Sequence, residues 1–137
     1  MEESNLLKKN NVEYIIVHCS DTNNNDEAID IHKLHISFGW DGIGYHKIIL
    51  RNGKIENGRP EFWKGAHAYK YNDKSIGVCL IGKNKFTLKQ QKSLKKVLNF
   101  WKKKYPLSKI IGHKDLPNTD KTCPNFDVKK WLINNNI

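Results

Sequence analysis

The run Ser75 to Ile81, S-I-G-V-C-L-I, is unbroken apolar sequence after its serine. A strand with one wet face alternates polar and apolar side chains, so an apolar run without alternation predicts a strand covered on both faces at the centre of a sheet. Such a strand needs layers on either side of it, which calls for helices interleaved with strands. A second run, V-E-Y-I-I-V-H-C, is apolar and β-branched and reads as a first buried strand from Tyr14 to Cys19.

The remaining elements follow in order. Ile29 to Phe38 reads as a helix with Ile31, Leu34, His35 and Phe38 on its buried face and Gly39 as its stop. His32 and His35 stand three apart, but the plainer reading packs His35 with the apolar face and leaves His32 to one side. Gly44 to Leu50 reads as a second strand, which sends Tyr45 and His46 to opposite sides, and R-N-G-K is a hairpin turn. Gly58, Arg59, Pro60 and Trp63 mark a long irregular loop. Thr87 and Gln90 form a capping box, and Leu94, Val97, Leu98, Trp101 and Tyr105 recur at helical spacing until Pro106 ends the helix. Lys109 to Gly112 is a short strand, and Asp127 opens a last helix anchored by Trp131 and Leu132. The expected fold class is α/β, a single domain over 1–137 with a central sheet of about five strands and about three helices, preceded by a flexible arm over residues 1–11.

The chemistry-bearing residues gather at the ends of these elements. Between Ile111 and Lys130, His113 and Cys123 offer a metal ligand at each end of a loop broken by Pro117 and Pro124, with Lys121 beside the cysteine. A hydrolytic zinc site takes three protein ligands and leaves a position open for water. His18, delivered by the first strand, is the candidate third ligand. Its neighbour Cys19 must point to the other face and is explained as a small buried hydrophobe. His67 and Asn72 lie on an aromatic- and glycine-flanked loop and are candidate substrate contacts, weighed against local loop hydrogen bonding.

Charge bears on partners. The formal net charge is +10, and Lys83 to Lys109 holds ten lysines and no acid. The excess therefore lies on one helix and its flanks, either as a solvated face or as a surface for an anionic polymer, with Lys89 to Lys104 at its centre. Arginine, the usual fork for phosphates and bases, occurs only at Arg51 and Arg59, which disfavours a nucleic-acid reader. The polar start lacks the apolar core of a secretory signal, and no segment reads as a membrane span, so the expected product is made in the cytoplasm and is monomeric. Three cysteines make no closed disulfide framework.

Several stretches together resemble a known family: V-H-C-S, then G-W-D-G-I-G-Y-H-K-I-I, G-R-P, G-A-H-A with N-x-x-S-I-G-V-C-L, and G-H with K-x-C-P. From Tyr14 to Trp131 they resemble the zinc-dependent, type 2 N-acetylmuramoyl-L-alanine amidases shared by short phage endolysins and peptidoglycan recognition proteins. The resemblance implies a three-layer domain with a mixed sheet and one zinc ion in an open cleft. It implies His18, His113 and Cys123 as ligands and Tyr45 and Lys121 as catalytic residues. It also implies bacterial peptidoglycan as substrate and cleavage between N-acetylmuramic acid and L-alanine; with no signal read in the sequence, the wall is expected to be reached after release. The alternatives are a recognition module that binds wall fragments without cutting them, which commonly lacks the cysteine, and a basic nucleic-acid binder, which leaves the histidine, tyrosine and cysteine set unexplained.

Overall fold

A computed structural model describes residues 5–137, which form β1 (Tyr14–Cys19), α1 (Ala28–Ser37), β2 (Lys47–Ile49), β3 (Ile55–Asn57), β4 (Ser75–Leu80), α2 (Leu88–Lys104), β5 (Lys109–Gly112) and α3 (Val128–Asn134). The strands make one mixed sheet in the order β3-β2-β4-β1-β5. β4 and β1, the two runs richest in apolar residues, are two of its three inner strands and pair in parallel from Tyr14 and Ser75 onward. β5 and β2 flank them in parallel, and only the β2–β3 hairpin is antiparallel. Parallel pairing gathers the C-terminal ends of β1, β2, β4 and β5 at one edge.

The sheet's two faces are packed differently. Ile15, Val17, Ile76, Val78 and Leu80 point to the side of α2 and α3, where they share a core with Leu94, Leu98, Trp101 and Val128. Every residue of the α2 stripe read from the sequence is buried there. The capping box at Thr87 is present, and Gln90 uses it doubly. Its Oε1 accepts from the Thr87 backbone, while its fully buried Nε2 donates to the carbonyls of Ile49 and Ile81, tying the helix start to β2 and to the end of β4. On the opposite face Ile16 packs with Ala68, Ile111 and Leu116, and Ile48 packs with Ile31 and Ile43 beneath α1.

Three expectations are revised. α1 buries only Ile31 and His35, one turn apart, while Leu34 and Phe38 are 38% and 57% exposed. Its contact is a single i, i+4 line, too narrow to cover the wider stripe. β2 begins at Lys47 rather than Gly44, because the N–H of Gly77 on β4 donates to the ring Nδ1 of His46 and not to a backbone carbonyl. In α3 Trp131 and Leu132 pack against the same core, as expected, and Val128 is its most buried side chain. Finally, Asn5 to Asn11 is docked where an arm was expected: Leu7 is buried, its N–H donates to Phe62 O, and Lys64 N donates to Asn5 O. Residues 1–4 of that stretch lie outside the described residues.

Candidate metal centre and active site

Strand register brings two of the three candidate ligands together. Val17 pairs with Gly112 in the parallel β1–β5 ladder, so the next residues, His18 and His113, emerge side by side at the C-terminal edge. Their ring centroids are 4.7 Å apart. The loop after His113 then returns: Lys114 N donates to Cys123 O at 2.9 Å, and Asn125 Nδ2 donates to Lys83 O, anchoring the loop on both sides of the cysteine.

Cys123 Sγ lies 3.7 Å from His18 Nδ1 and 3.6 Å from His113 Nδ1, and the three donor atoms all lie within 4.8 Å of one another. A tetrahedral zinc with Zn–N of about 2.05 Å and Zn–S of about 2.3 Å separates its nitrogen and sulfur ligands by about 3.6 Å. Both nitrogen-to-sulfur separations fit such an ion, so the donor set could hold one. Its electrostatics agree. Burial, reinforced by the neighbouring histidines, holds His18 neutral by lowering its pKa, and burial followed by the charge of Lys121 does the same for His113. The Cys123 thiol is lowered by a hydrogen bond from Cys19 and by Lys121, against the opposing effect of burial. Neutral imidazole and thiolate are the forms that bind a metal.

With Nδ1 of His18 turned to this centre, its proton belongs on Nε2, which lies 2.8 Å from His67 Nδ1. His67 then carries its own proton on Nε2, 3.5 Å from Ser75 Oγ, and Ser75 donates onward to Tyr71 O. Two glycines make room for this ring. A Cβ at Gly77 would sit 2.7 Å from His67 Nδ1, and one at Gly65 would sit 2.4 Å from its Cδ2. His67 is only 8% exposed, so the structure places it behind His18. Asn72 Oδ1 accepts from the N–H groups of His67 and Ala68 and so shapes the loop that carries His67.

Tyr45 is half-buried with its ring centroid 5.1 Å from that of His18. Burial first, then the sulfurs of Cys79, Cys123 and Cys19, raise its pKa, which keeps the phenol protonated and able to donate. Lys121 is exposed on the loop before Cys123, its backbone N–H donating to Thr119 Oγ1, and its ammonium acts on both His113 and Cys123. The structure thus gathers His18, His113, Cys123, Tyr45 and His67 at one edge with the charge of Lys121 bearing on it.

Residues 8–126 match the family model described as N-acetylmuramoyl-L-alanine amidase. The chain belongs to this amidase family. It is 42% identical over 135 residues to the endolysin of Enterobacteria phage T3, covering 91% of this chain and 88% of that one. It is 38% identical over 147 residues to the endolysin of Escherichia phage T7, covering 100% and 96%. Among solved structures, the N-acetylmuramoyl-L-alanine amidase LysC from Clostridium intestinale superposes with a TM-score of 0.83 at 31% identity, covering 94% of this chain and 88% of that one.

Three further histidines of this amidase had no part in the sequence reading of the site. His46 is buried, accepts from Gly77 N through Nδ1 and donates from Nε2 to Trp63 O, and its ring stands 5.6 Å from that of His67. Because the strand starts after it, alternation does not separate it from Tyr45, and both rings flank the His18–His67 pair. His35 and His32 accept backbone N–H groups from the loop before Tyr45. The spacing of two histidines on a helix was the available signal, but it points equally to a metal pair or to packing. No local pattern marks acceptors for a backbone eight or more residues away.

Proposed function

We propose that this amidase hydrolyses the amide between the lactyl group of N-acetylmuramic acid and L-alanine in bacterial peptidoglycan, as the phage endolysins do, with one zinc ion held by His18, His113 and Cys123. The observation that carries the zinc reading is the pair of nitrogen-to-sulfur separations, 3.7 and 3.6 Å, matching a tetrahedral site.

An amide resists hydrolysis because resonance strengthens its C–N bond and its nitrogen leaves poorly. Cleavage needs an activated water, a stabilised oxyanion and a proton for the nitrogen. Bound zinc supplies Lewis acidity and a water acidic enough to attack at neutral pH. The protein's own groups do the rest. Lys121, a cation at the open side of the site, holds the oxyanion that develops on the carbonyl, a contact of a kind worth about 3 kcal/mol in the transition state. Tyr45, kept as a phenol, orients the attacking water or donates its proton toward the departing nitrogen. His67 fixes the tautomer of His18 from behind. Asn72 spends its Oδ1 on the loop, which leaves Nδ2 as the group it can offer to a stem-peptide carbonyl.

The non-catalytic alternative is disfavoured by Cys123, which completes the donor set. The test is release of the L-alanine α-amine from a soluble N-acetylmuramoyl peptide, followed with an amine-reactive reagent. Stoichiometric new amine is expected, and binding of the peptide with no new amine would return the chain to the recognition-module reading.

The same proposal gives the lysine-rich helix a part in attachment. Lys89, Lys92, Lys96 and Lys103 are exposed on α2, whereas Lys104 is paired with Glu61 at 3.1 Å and Lys102 is turned onto the carbonyls of Pro106 and Ser108. The free lysines face away from the sheet on the side opposite His18, so they suit holding an anionic wall polymer rather than feeding the cleft. The enzyme acts as a monomer in this reading, and among the described residues no helix is long and apolar enough to cross a membrane.

A further inference from the structure

The segment Gly42 to Gly44, which leads into Tyr45, belongs to no strand or helix, yet its backbone is almost wholly accounted for. Ile43 N donates to His32 Nδ1 at 3.1 Å, and Gly44 N donates to His35 Nδ1 at 2.9 Å. Arg59 donates from Nε to Ile43 O at 3.1 Å and from its guanidinium to Gly42 O at 3.4 Å. Gly44 O accepts from Ala66 N at 3.0 Å. Five consecutive backbone groups are therefore held from three directions: α1, the Arg59 loop and the His67 loop. Space is as tightly defined as the bonding. A Cβ at Gly42, whose φ is +136°, would meet His32 Cε1 at 2.6 Å, and one at Gly44 would meet Ala66 O at 2.1 Å. His35 also stands beside Tyr45 itself, with ring centroids 5.5 Å apart.

A regular strand would hold these groups with its neighbour's backbone. Here the pairing to β4 stops at His46, whose N–H donates to Gly77 O at 2.9 Å and whose ring Nδ1 takes the N–H of Gly77. We propose that His32, His35 and Arg59 are positioning residues for Tyr45: they replace the missing strand ladder and fix the place from which the phenol reaches the reacting centre. Both histidines accept through Nδ1, so each must be neutral at that nitrogen. Burial, with the charges of Arg59 and His32, lowers the pKa of His35 and keeps it so. Arg59 donates to three backbone carbonyls, including Lys64 O, so its fork bridges the Tyr45 segment to the loop that precedes His67. The side chains on either side of His18 are thus tied to one another.

This inference rests on the proposed catalytic part of Tyr45, and the experiment separates the two. The Oδ1 of asparagine occupies nearly the place of histidine Nδ1 and accepts as it does, whereas leucine fills the volume and accepts nothing. Kinetics on the soluble muramyl peptide would be measured for His32→Leu, His32→Asn, His35→Leu and His35→Asn, each alone and with Tyr45→Phe. Thermal midpoint, bound zinc and amide hydrogen exchange at Ile43 and Gly44 would be measured on the same samples. His35 is buried and its leucine variant risks the fold; His32 is half-buried and provides the second route. The leucine variants are expected to lower kcat by about tenfold to a hundredfold, the scale of a misplaced reacting group, with KM and bound zinc unchanged and faster exchange at the amide each histidine held. Asparagine is expected to restore most of the rate. With Tyr45→Phe present, neither leucine change should lower kcat further. Equal losses in leucine and asparagine variants, or an undiminished further loss in the Tyr45→Phe background, would overturn the positioning role. A Tyr45→Phe enzyme with full kcat would overturn the catalytic reading of Tyr45 and this inference with it, whereas an inactive one beside unaffected histidine variants overturns the inference alone.

Discussion

The two faces of one sheet do different work. Toward α2, the side chains of β1 and β4 are Ile15, Val17, Ile76, Val78 and Leu80, packed on leucine, valine and tryptophan with scarcely a polar atom. Toward the other side, the same strands offer Ile16, His18, Gly77 and Cys79, and the layer over them is made of loops that carry His67, His46 and Tyr45. A strand's alternation lets one run of sequence serve both faces. The apolar face holds the fold, and the histidine face spends glycines and buried polar groups on geometry. Changes to one should therefore leave the other largely intact.

The largest effect is expected at the proposed metal ligands. His113→Ala or Cys123→Ser should abolish amide cleavage and bound zinc, while circular dichroism shows the fold retained. Chelation should reproduce the loss in the unmodified protein, and added zinc should reverse it. A metal-free variant with full activity would break the division between the faces and the mechanism together.

On the other face, Leu98→Ala removes a fully buried side chain opposite the sheet and should cost about 3 kcal/mol in denaturant unfolding. Its turnover per folded molecule should stay at the original value. A fall in turnover at full folding would show that the apolar face shapes the site after all.

Acid should unfold the protein through the histidine face. Burial lowers the pKa of His46 from 6.5 to about 4, and His18 and His67 are lowered too. The unfolded chain then takes up these protons before the folded one, so stability is fully present above pH 6.5 and falls as the pH drops toward 4. For His46 alone the loss amounts to about 3 kcal/mol. Thermal melts of metal-free protein across that window should show the decline, and a His46→Asn protein should show a smaller one, since His18 and His67 still contribute; an unchanged decline would remove His46 from the account.

A smaller effect is expected at His67, which stands behind the proposed ligand His18. His67→Ala should weaken zinc binding by about tenfold to a hundredfold in a chelator competition. Unchanged affinity would mean that the 2.8 Å contact with His18 Nε2 has no share in holding the ligand. The mildest change belongs to the surface: replacing Lys92, Lys95, Lys96 and Lys103 with glutamine should reduce salt-sensitive attachment to intact walls and leave cleavage of a soluble muramyl peptide alone, since exposed charges act over about 8 Å at physiological ionic strength. Equal salt sensitivity before and after would leave these lysines as a solvated face.

How far the sequence was legible follows the same division. The α2 stripe from Leu94 to Tyr105, the Thr87–Gln90 cap and the two central strands are periodic or local signals, and all of them appear in the structure. The mixed sheet and the amidase family were likewise readable, the family through its ordered motifs. What escaped was bonding between side chains and distant backbone. His46 shortened β2 by taking the N–H of Gly77 on another strand, thirty-one residues away. His32 and His35 accept the backbone N–H groups of a loop, and α1 buries a line rather than a stripe, leaving Leu34 and Phe38 exposed. Such partners leave no period in the sequence, and they become visible only when the chain is folded.

In the proposed mechanism, the edge bearing His18, His113 and Cys123 holds the zinc with which this amidase cuts the muramic acid to L-alanine bond. The most direct measurement is mass spectrometry of purified sacculi digested with metal-stripped protein and with the same protein reloaded with one equivalent of zinc. Free stem peptides beginning at L-alanine, with glycan strands intact, are expected only after reloading. New reducing sugar ends, or the same peptides released by protein shown to hold no metal, would contradict it.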